Sequence, residues 1–139
     1  MSQLNFFSLF RREYQGIDAP IERTEENFDP GNKYHIPANV PYARYFMSYI
    51  HQFQFYRALC KLANHEGPLH KCDFYESKVA GEKLKEMLSL GSSKHWIYAL
   101  NLLTGEQTAN MEAFIEYFKP LIDWLKRENE KYPDDTIGW

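Results

Sequence analysis

The 139-residue sequence has little of what marks several common protein classes. It contains two cysteines, no N-x-[ST] glycosylation sequon and no excess of basic residues, with 16 Lys+Arg against 19 Asp+Glu. A formal net charge of −3 provides no basic face, so we expect no nucleic-acid partner. The 44% hydrophobic and 25% charged residues are typical of a globular chain that can bury a core.

Long hydrophobic runs are also absent. The richest apolar stretch, residues 42–62, is interrupted by Arg44, His51 and Arg57 among others, whereas a membrane span needs about 18 apolar residues. At the N-terminus the basic pair follows the apolar residues, which is the wrong order for a secretory signal. We therefore expect neither a span nor an export signal in these residues.

The hydrophobic pattern that is present has the period of an α-helix. No segment of useful length alternates with period two, so the sequence predicts an all-α fold without internal repeats or a domain boundary. Glycine and proline punctuate the helices. The predicted helices cover residues 3–14 (the end of a helix stopped by Gly16), 41–63, 77–90, 94–103 and 111–131.

Individual prolines predict further features of the fold. Pro41 stands where a first-turn proline begins a helix, and Pro120 predicts a kink near Lys119. Residues 17–39 contain Pro20, Pro30, Gly31 and Pro37 and predict a long loop. Loops of that length inside a compact domain are often functional.

The helix predicted at 41–63 carries one aromatic stripe. Its members recur at steps of three and four residues: Tyr42, Tyr45, Phe46, Tyr49, Phe53, Tyr56 and Cys60. A core would favour leucine and isoleucine, and buried tyrosines need partners for their hydroxyls. The stripe therefore suggests a helix that lines a polar cleft.

The densest group of functional side chains lies where this helix begins. Lys33 and Arg44 are cationic, His35 is an imidazole, and Tyr42 and Tyr45 offer phenol donors three residues apart. A helix N-terminus favours anions, so the group could bind a substrate carboxylate and a developing oxyanion. The plainer alternative is aromatic packing with a solvated lysine and a satisfied histidine.

The two cysteines leave three readings open. Cys60 and Cys72 are twelve residues apart and could form a disulfide, stay as free thiols, or bind metal with His65 and His70. The segment from His65 to His70 is not a zinc-peptidase H-E-x-x-H motif. Its second histidine is one residue too far, and Gly67 and Pro68 would break the helix.

Several longer motifs carry a specific resemblance. K-[YF]-H-I-P…P-Y-x-R-Y, Q-F-Q-F…A-L-C, HEGPLHKC and YFKPLIDWLKREN resemble the C-terminal part of the angiotensin-converting enzyme family of zinc dipeptidyl carboxypeptidases, from about Phe7 to Trp139. The resemblance implies that residues 1–139 form a single partial domain, the C-terminal helical part of a larger and mostly helical peptidase domain. We expect the chain to be a fragment of that enzyme.

The resemblance also assigns roles at the substrate. Lys33 and Tyr42 match the pair that grips the C-terminal carboxylate of the peptide. His35 matches a histidine that hydrogen-bonds a substrate carbonyl near the scissile bond. Tyr45 matches the tyrosine that donates to the tetrahedral oxyanion.

Anion sites and the cysteine pairing follow in the same way. Arg44 matches an arginine that holds an activating chloride, and Arg11 aligns with an arginine of a second chloride site. Cys60 and Cys72 match a family disulfide with the same spacing. The cofactors implied are zinc, whose ligands and catalytic glutamate would lie upstream of this chain, and chloride.

The implied partners are oligopeptides with a free C-terminus and the missing N-terminal part of the same domain. The implied location is extracellular, as a secreted protein or a membrane-anchored ectodomain. Taken alone, the 139 residues should lack the zinc site and be inactive. The alternatives are a truncated or zinc-less relative that binds peptides without cleaving them, and a free-standing helical bundle.

Overall fold

The computed structural model describes residues 3–24 and 26–134, which contain five α-helices and no strand. The predicted all-α class is therefore confirmed. No helix among the described residues is both long enough and apolar enough to cross a membrane. The helices are α1 (Gln3–Gln15), α2 (Ala43–Leu62), α3 (Lys78–Leu88), α4 (Trp96–Thr104) and α5 (Glu112–Asn129).

The helix ends fall where glycine and capping side chains place them. Gly16 and Gly105 adopt φ values of 65° and 78°, and the Gly105 N–H donates to Asn101 O at 2.8 Å. Such left-handed residues end helices because they lack a Cβ. The side chain of Ser77 accepts a bond from the Ala80 N–H and caps α3.

Two predicted helix starts lie two residues before the starts in the structure. Helix α2 begins at Ala43, so Pro41 precedes the helix and does not occupy its first turn. Helix α4 begins at Trp96, because His95 has extended backbone and its Nδ1 accepts from the Ile97 N–H as a cap. Pro120 lies inside α5, and the kink beside it stays a prediction.

The predicted loop between α1 and α2 is confirmed, with one short 3₁₀ turn at Asp29–Asn32. Arg23 Nε donates to Asp29 Oδ2 at 2.9 Å, which ties the middle of the loop to that turn. Both side chains are about three-quarters buried, so this ion pair is better shielded from water than an ordinary surface pair.

The chain divides into two compact units, Met1–Tyr42 with Arg127–Trp139 and Ala43–Lys126. Helices α2, α3 and α4 of the second unit pack on one another around Leu59, Ala80 and Leu103. Helix α5 packs on α2 through aromatic contacts, and the ring centroids of Phe53 and Phe114 are 5.0 Å apart. The expectation that all 139 residues belong to one partial domain stays a prediction.

Cys60 and Cys72 form a disulfide with Cα atoms 6.1 Å apart, which decides among the three readings of the cysteines. The bridge joins the end of α2 to the loop before α3, and the Tyr56 hydroxyl donates to Cys72 O at 2.7 Å. Burial, with smaller contributions from Tyr117 and Asp73, raises the pKa of Tyr56. The phenol therefore stays protonated and remains a donor at neutral pH.

Candidate functional site

The loop before α2 folds back on itself and brings three predicted site residues together. The Val40 N–H donates to His35 O at 2.9 Å, and the Asn39 N–H donates to Ile36 O at 3.1 Å. Asn39 adopts a left-handed φ of 53°, a conformation that asparagine tolerates better than most residues. This turn brings the backbone of His35 next to Val40, two residues before Tyr42.

Within the first unit, Tyr42 is the centre of a small cationic and aromatic cluster. Lys33 Nζ lies 5.2 Å from the centroid of the Tyr42 ring, and the His35 ring lies 4.6 Å from it. Lys33 and Tyr42 are exposed, whereas His35 is half-buried. The His35 Nδ1 is buried and has no hydrogen-bond partner among the described residues. The predicted association of Lys33, His35 and Tyr42 is thus present in the geometry.

Arg44 and Tyr45 form a second pair at the start of α2, in the other unit. The Arg44 guanidinium carbon lies 5.6 Å from the centroid of the Tyr45 ring. Tyr45 is 52% exposed, and its carbonyl accepts a bond from the Ser48 hydroxyl at 2.7 Å. Tyr42 directly precedes the first residue of α2, so the expectation that Tyr42 and Tyr45 share a helix face stays a prediction.

Arg11 lines a separate cavity of about 150 Å³ inside the first unit, together with Phe7, Asp18 and other residues of α1 and the loop. Its guanidinium carbon lies 5.6 Å from the centroid of the Phe7 ring. The Arg11 Nε is buried and has no hydrogen-bond partner among the described residues. A guanidinium N–H in that condition is a candidate donor to an anion.

A polar network in the second unit was not predicted from the sequence. Gln54 is only 1% exposed, and its Nε2 donates to Glu106 Oε2 and to Thr108 O at 3.0 Å. Arg57 donates to Glu106 Oε1 at 2.7 Å, and Asn110 donates to Oε2 at 2.8 Å. In the sequence, the polar residues of this stretch indicate only that it is not a membrane span. The sequence signal for this network was the pair Gln54 and Arg57, two polar residues three positions apart within an aromatic stripe.

The network also determines the charge state of its members. Burial alone would raise the pKa of Glu106, but hydrogen bonds from Gln54, Arg57 and Asn110 and the charge of Arg57 outweigh it and lower that pKa. Burial alone would lower the pKa of Arg57, and bonds to Glu106 and Glu116 raise it instead. Both groups are therefore ionised at neutral pH and hold α2 to the segment that precedes and begins α5.

The metal implied by the resemblance does not fit the residues that the structure describes. Among residues 3–24 and 26–134, no three His, Cys, Asp or Glu side chains come together as a metal site would require. Cys60 and Cys72 are joined to each other and offer no thiolate. The alternative of a metal site with His65 and His70 is therefore wrong, and no zinc chemistry is assigned to these residues.

Comparison with known sequences identifies the family. The profile described as angiotensin-converting enzyme, peptidase family M2, matches residues 3–139. The chain belongs to the angiotensin-converting enzyme family. It is 55% identical over 130 residues to an angiotensin-converting enzyme-like protein of Mus musculus. The aligned residues make up 94% of this chain and 18% of that protein.

Two further members of the angiotensin-converting enzyme family show the spread of the relationship. The chain is 51% identical over 129 residues to the enzyme of Mesocricetus auratus, covering 93% of this chain and 10% of that protein. It is 46% identical over 121 residues to the enzyme of Theromyzon tessulatum, covering 87% of this chain and 20% of that protein. The chain thus spans between a tenth and a fifth of the length of these curated relatives.

Proposed function

We propose that this chain is the substrate-gripping segment of a zinc peptidase that releases dipeptides from the C-terminus of oligopeptides. Lys33 and Tyr42 bind the substrate carboxylate, and His35 hydrogen-bonds a carbonyl of the peptide near the scissile bond. The observation that carries the proposal is the position of the Lys33 ammonium and the His35 imidazole beside the phenol ring of Tyr42.

The chemistry of the cluster suits a carboxylate. A lysine ammonium has three N–H donors, so contact with the face of an aromatic ring leaves donors for an anion. Lys33 is exposed and can reach a ligand, and Tyr42 adds a directional hydrogen bond. A charge-assisted hydrogen bond of this kind contributes about 1.5–3 kcal/mol.

Tyr45 is proposed to donate to the oxyanion that develops at the scissile carbonyl. Its half-exposed phenol at the start of α2 supports this role. Arg44, against the Tyr45 ring, is proposed to hold a chloride whose charge influences that phenol. Arg11, with its buried and unpartnered Nε, is proposed to hold a second chloride.

The remaining parts of the site belong to the proposal in the same way. We assign zinc, its ligands and the catalytic glutamate to another part of the same domain, which is also the partner that completes the cleft. These 139 residues alone are expected to be inactive. The disulfide supports an oxidising compartment, so we place the protein outside the cell, secreted or anchored as an ectodomain.

The carboxylate grip is tested with the protein in its full natural length, on an oligopeptide with a free C-terminus and on its C-terminal amide. Lys33→Ala should raise KM for the free peptide about tenfold or more, because one charged contact is lost, and should leave the amide unchanged. Lys83→Ala, which removes a half-buried lysine paired with Glu86 on α3, is the control.

Two results would contradict this assignment. Equal losses on the free peptide and on the amide would refute the role of Lys33 in binding the carboxylate. Saturable binding of the peptide by the natural protein without any release of dipeptide would instead favour the non-enzymatic relative.

A further inference from the structure

Helix α2 is held on one side by directional polar contacts. Both oxygens of the Glu106 carboxylate are engaged, Oε1 by Arg57 and Oε2 by Gln54 and Asn110. The Gln54 Oε1 faces His51 Nδ1 at 3.0 Å, so every polar atom of the Gln54 amide has a partner. Apolar packing tolerates small rotations, whereas hydrogen bonds weaken steeply when their angles change.

The carboxylate itself comes from a segment that is fixed in turn. The Glu106 N–H donates to the Thr104 hydroxyl at 3.0 Å, next to the left-handed Gly105 that ends α4. Arg57 also reaches Glu116 Oε2 at 3.3 Å in α5. The Glu106–Arg57 pair therefore connects α2 with the end of α4 and, through Glu116, with α5.

The proposed oxyanion donor lies on the other side of the same helix. Nine residues separate Tyr45 from Gln54 in sequence, and at about 100° per residue that spacing places them about 180° apart around α2. Their exposures agree with this position, since Tyr45 is 52% exposed and Gln54 is 1% exposed. Fixing the Gln54 side of α2 thus fixes the direction in which Tyr45 points.

We propose that Glu106 is a positioning residue for Tyr45: through Gln54 and Arg57 it sets the rotation of α2 and so aims the Tyr45 hydroxyl at the reacting carbonyl. This inference rests on the proposed function, because it takes the role of Tyr45 from it. Glu106 acts from about 13 Å or more along the helix axis, at 1.5 Å per residue, and does not touch the substrate.

The test replaces Glu106 by glutamine in the full-length protein. The change keeps size and shape but turns one oxygen into an N–H₂ group that faces a donor. A misplacement of about 1 Å can reduce turnover about 10²-fold, so a partial loosening should lower kcat about tenfold and change KM less than about twofold. Asn110→Ala removes only one donor to Glu106 and should give a weaker loss of the same kind, should Glu106→Gln fail to fold.

A matched control separates positioning from general stability. Leu84→Ala shortens a side chain of α3 that packs on the Leu59, Ala80 and Leu103 core without touching the network. It should lower the melting temperature at least as much as Glu106→Gln and leave kcat near the wild-type value. Equal falls in kcat for the two variants would overturn the inference.

The decisive measurement combines Glu106→Gln with Tyr45→Phe. If Glu106 acts through the Tyr45 hydroxyl, adding Glu106→Gln to Tyr45→Phe should lower kcat less than about twofold further. A further tenfold loss in the double variant would overturn the inference while leaving the role of Tyr45 intact. Wild-type turnover in Tyr45→Phe itself would overturn both this inference and the proposed role of Tyr45.

Discussion

The two halves of helix α2 both carry aromatic residues at helical spacing but have different surroundings. The first half, from Ala43 to Tyr49, exposes large aromatic side chains, including Phe46 at 64% and Tyr49 at 62%. The second half, from Ile50 to Leu62, is anchored by the Gln54 network, the Leu59 core and the Cys60–Cys72 disulfide. Aromatic periodicity alone does not distinguish the two halves.

The difference shows how one helix can serve two purposes. Its second half is held by directional and covalent contacts, so it can carry the first half as a stiff extension. Under the proposed function the exposed half presents Tyr45 to substrate, and the anchored half determines where Tyr45 points. Removal of the Tyr45 hydroxyl should therefore lower activity with little effect on stability, whereas loss of the bridge in the second half should lower stability.

The largest effect is expected from Tyr45→Phe. Loss of one oxyanion donor lowers turnover about 10²–10³-fold, and the donor acts only in the transition state, so KM should change little. Steady-state kinetics of the full-length protein on an oligopeptide measures both constants. Because Tyr45 is half-exposed, the melting temperature should hardly change.

Tyr49→Phe is the matched control, since it removes a phenol hydroxyl from the same exposed half of α2. It should retain nearly all turnover. A loss as large as that of Tyr45→Phe would mean that the exposed face responds to any change, and would contradict a specific donor.

Much of the fold could be predicted from the sequence, because local signals determine it. Glycine and proline breaks and the three- and four-residue periodicity predicted five helices with ends accurate to within a few residues. The start of α2 was missed because a proline that suits a first turn can equally precede one.

The candidate site was only partly predictable. Lys33, His35 and Tyr42 lie close together in the sequence, so a single loop and the family resemblance sufficed to associate them. The Gln54–Glu106 contact joins residues 52 positions apart, and no local pattern records such a pairing. The exposure that divides α2 into two halves also depends on distant packing.

The second-largest effect is expected from the disulfide. Replacing Cys60 and Cys72 together by alanine should destabilise the anchored half of α2 by about 2–3 kcal/mol, because the unfolded chain gains the freedom of a twelve-residue loop. Hydrogen exchange of the amides from Phe53 to Leu62 measures the change. Unchanged protection of those amides would show that the Gln54 network and the apolar packing hold this half without the bridge.

The smallest effect is a pH dependence that comes from Glu106. Its pKa in the folded protein is lowered below the ordinary value of 4.5, so its contribution to stability is complete above that value. The contribution is lost as pH falls through the folded pKa, because protonation removes the ion pair with Arg57. The melting temperature of the wild type should therefore fall below about pH 4.5 more steeply than that of Glu106→Gln.

Glu112→Gln provides the matched control for this prediction. Glu112 also faces Arg57, at 3.8 Å, but its side chain is 77% exposed, and exposed pairs contribute about 0–1 kcal/mol. The variant should therefore follow the pH profile of the wild type. If Glu106→Gln and Glu112→Gln flatten the profile equally, the acid sensitivity belongs to the total charge around Arg57. The anchoring of α2 would then depend on the hydrogen bonds of Gln54 and Asn110 rather than on the ionised carboxylate.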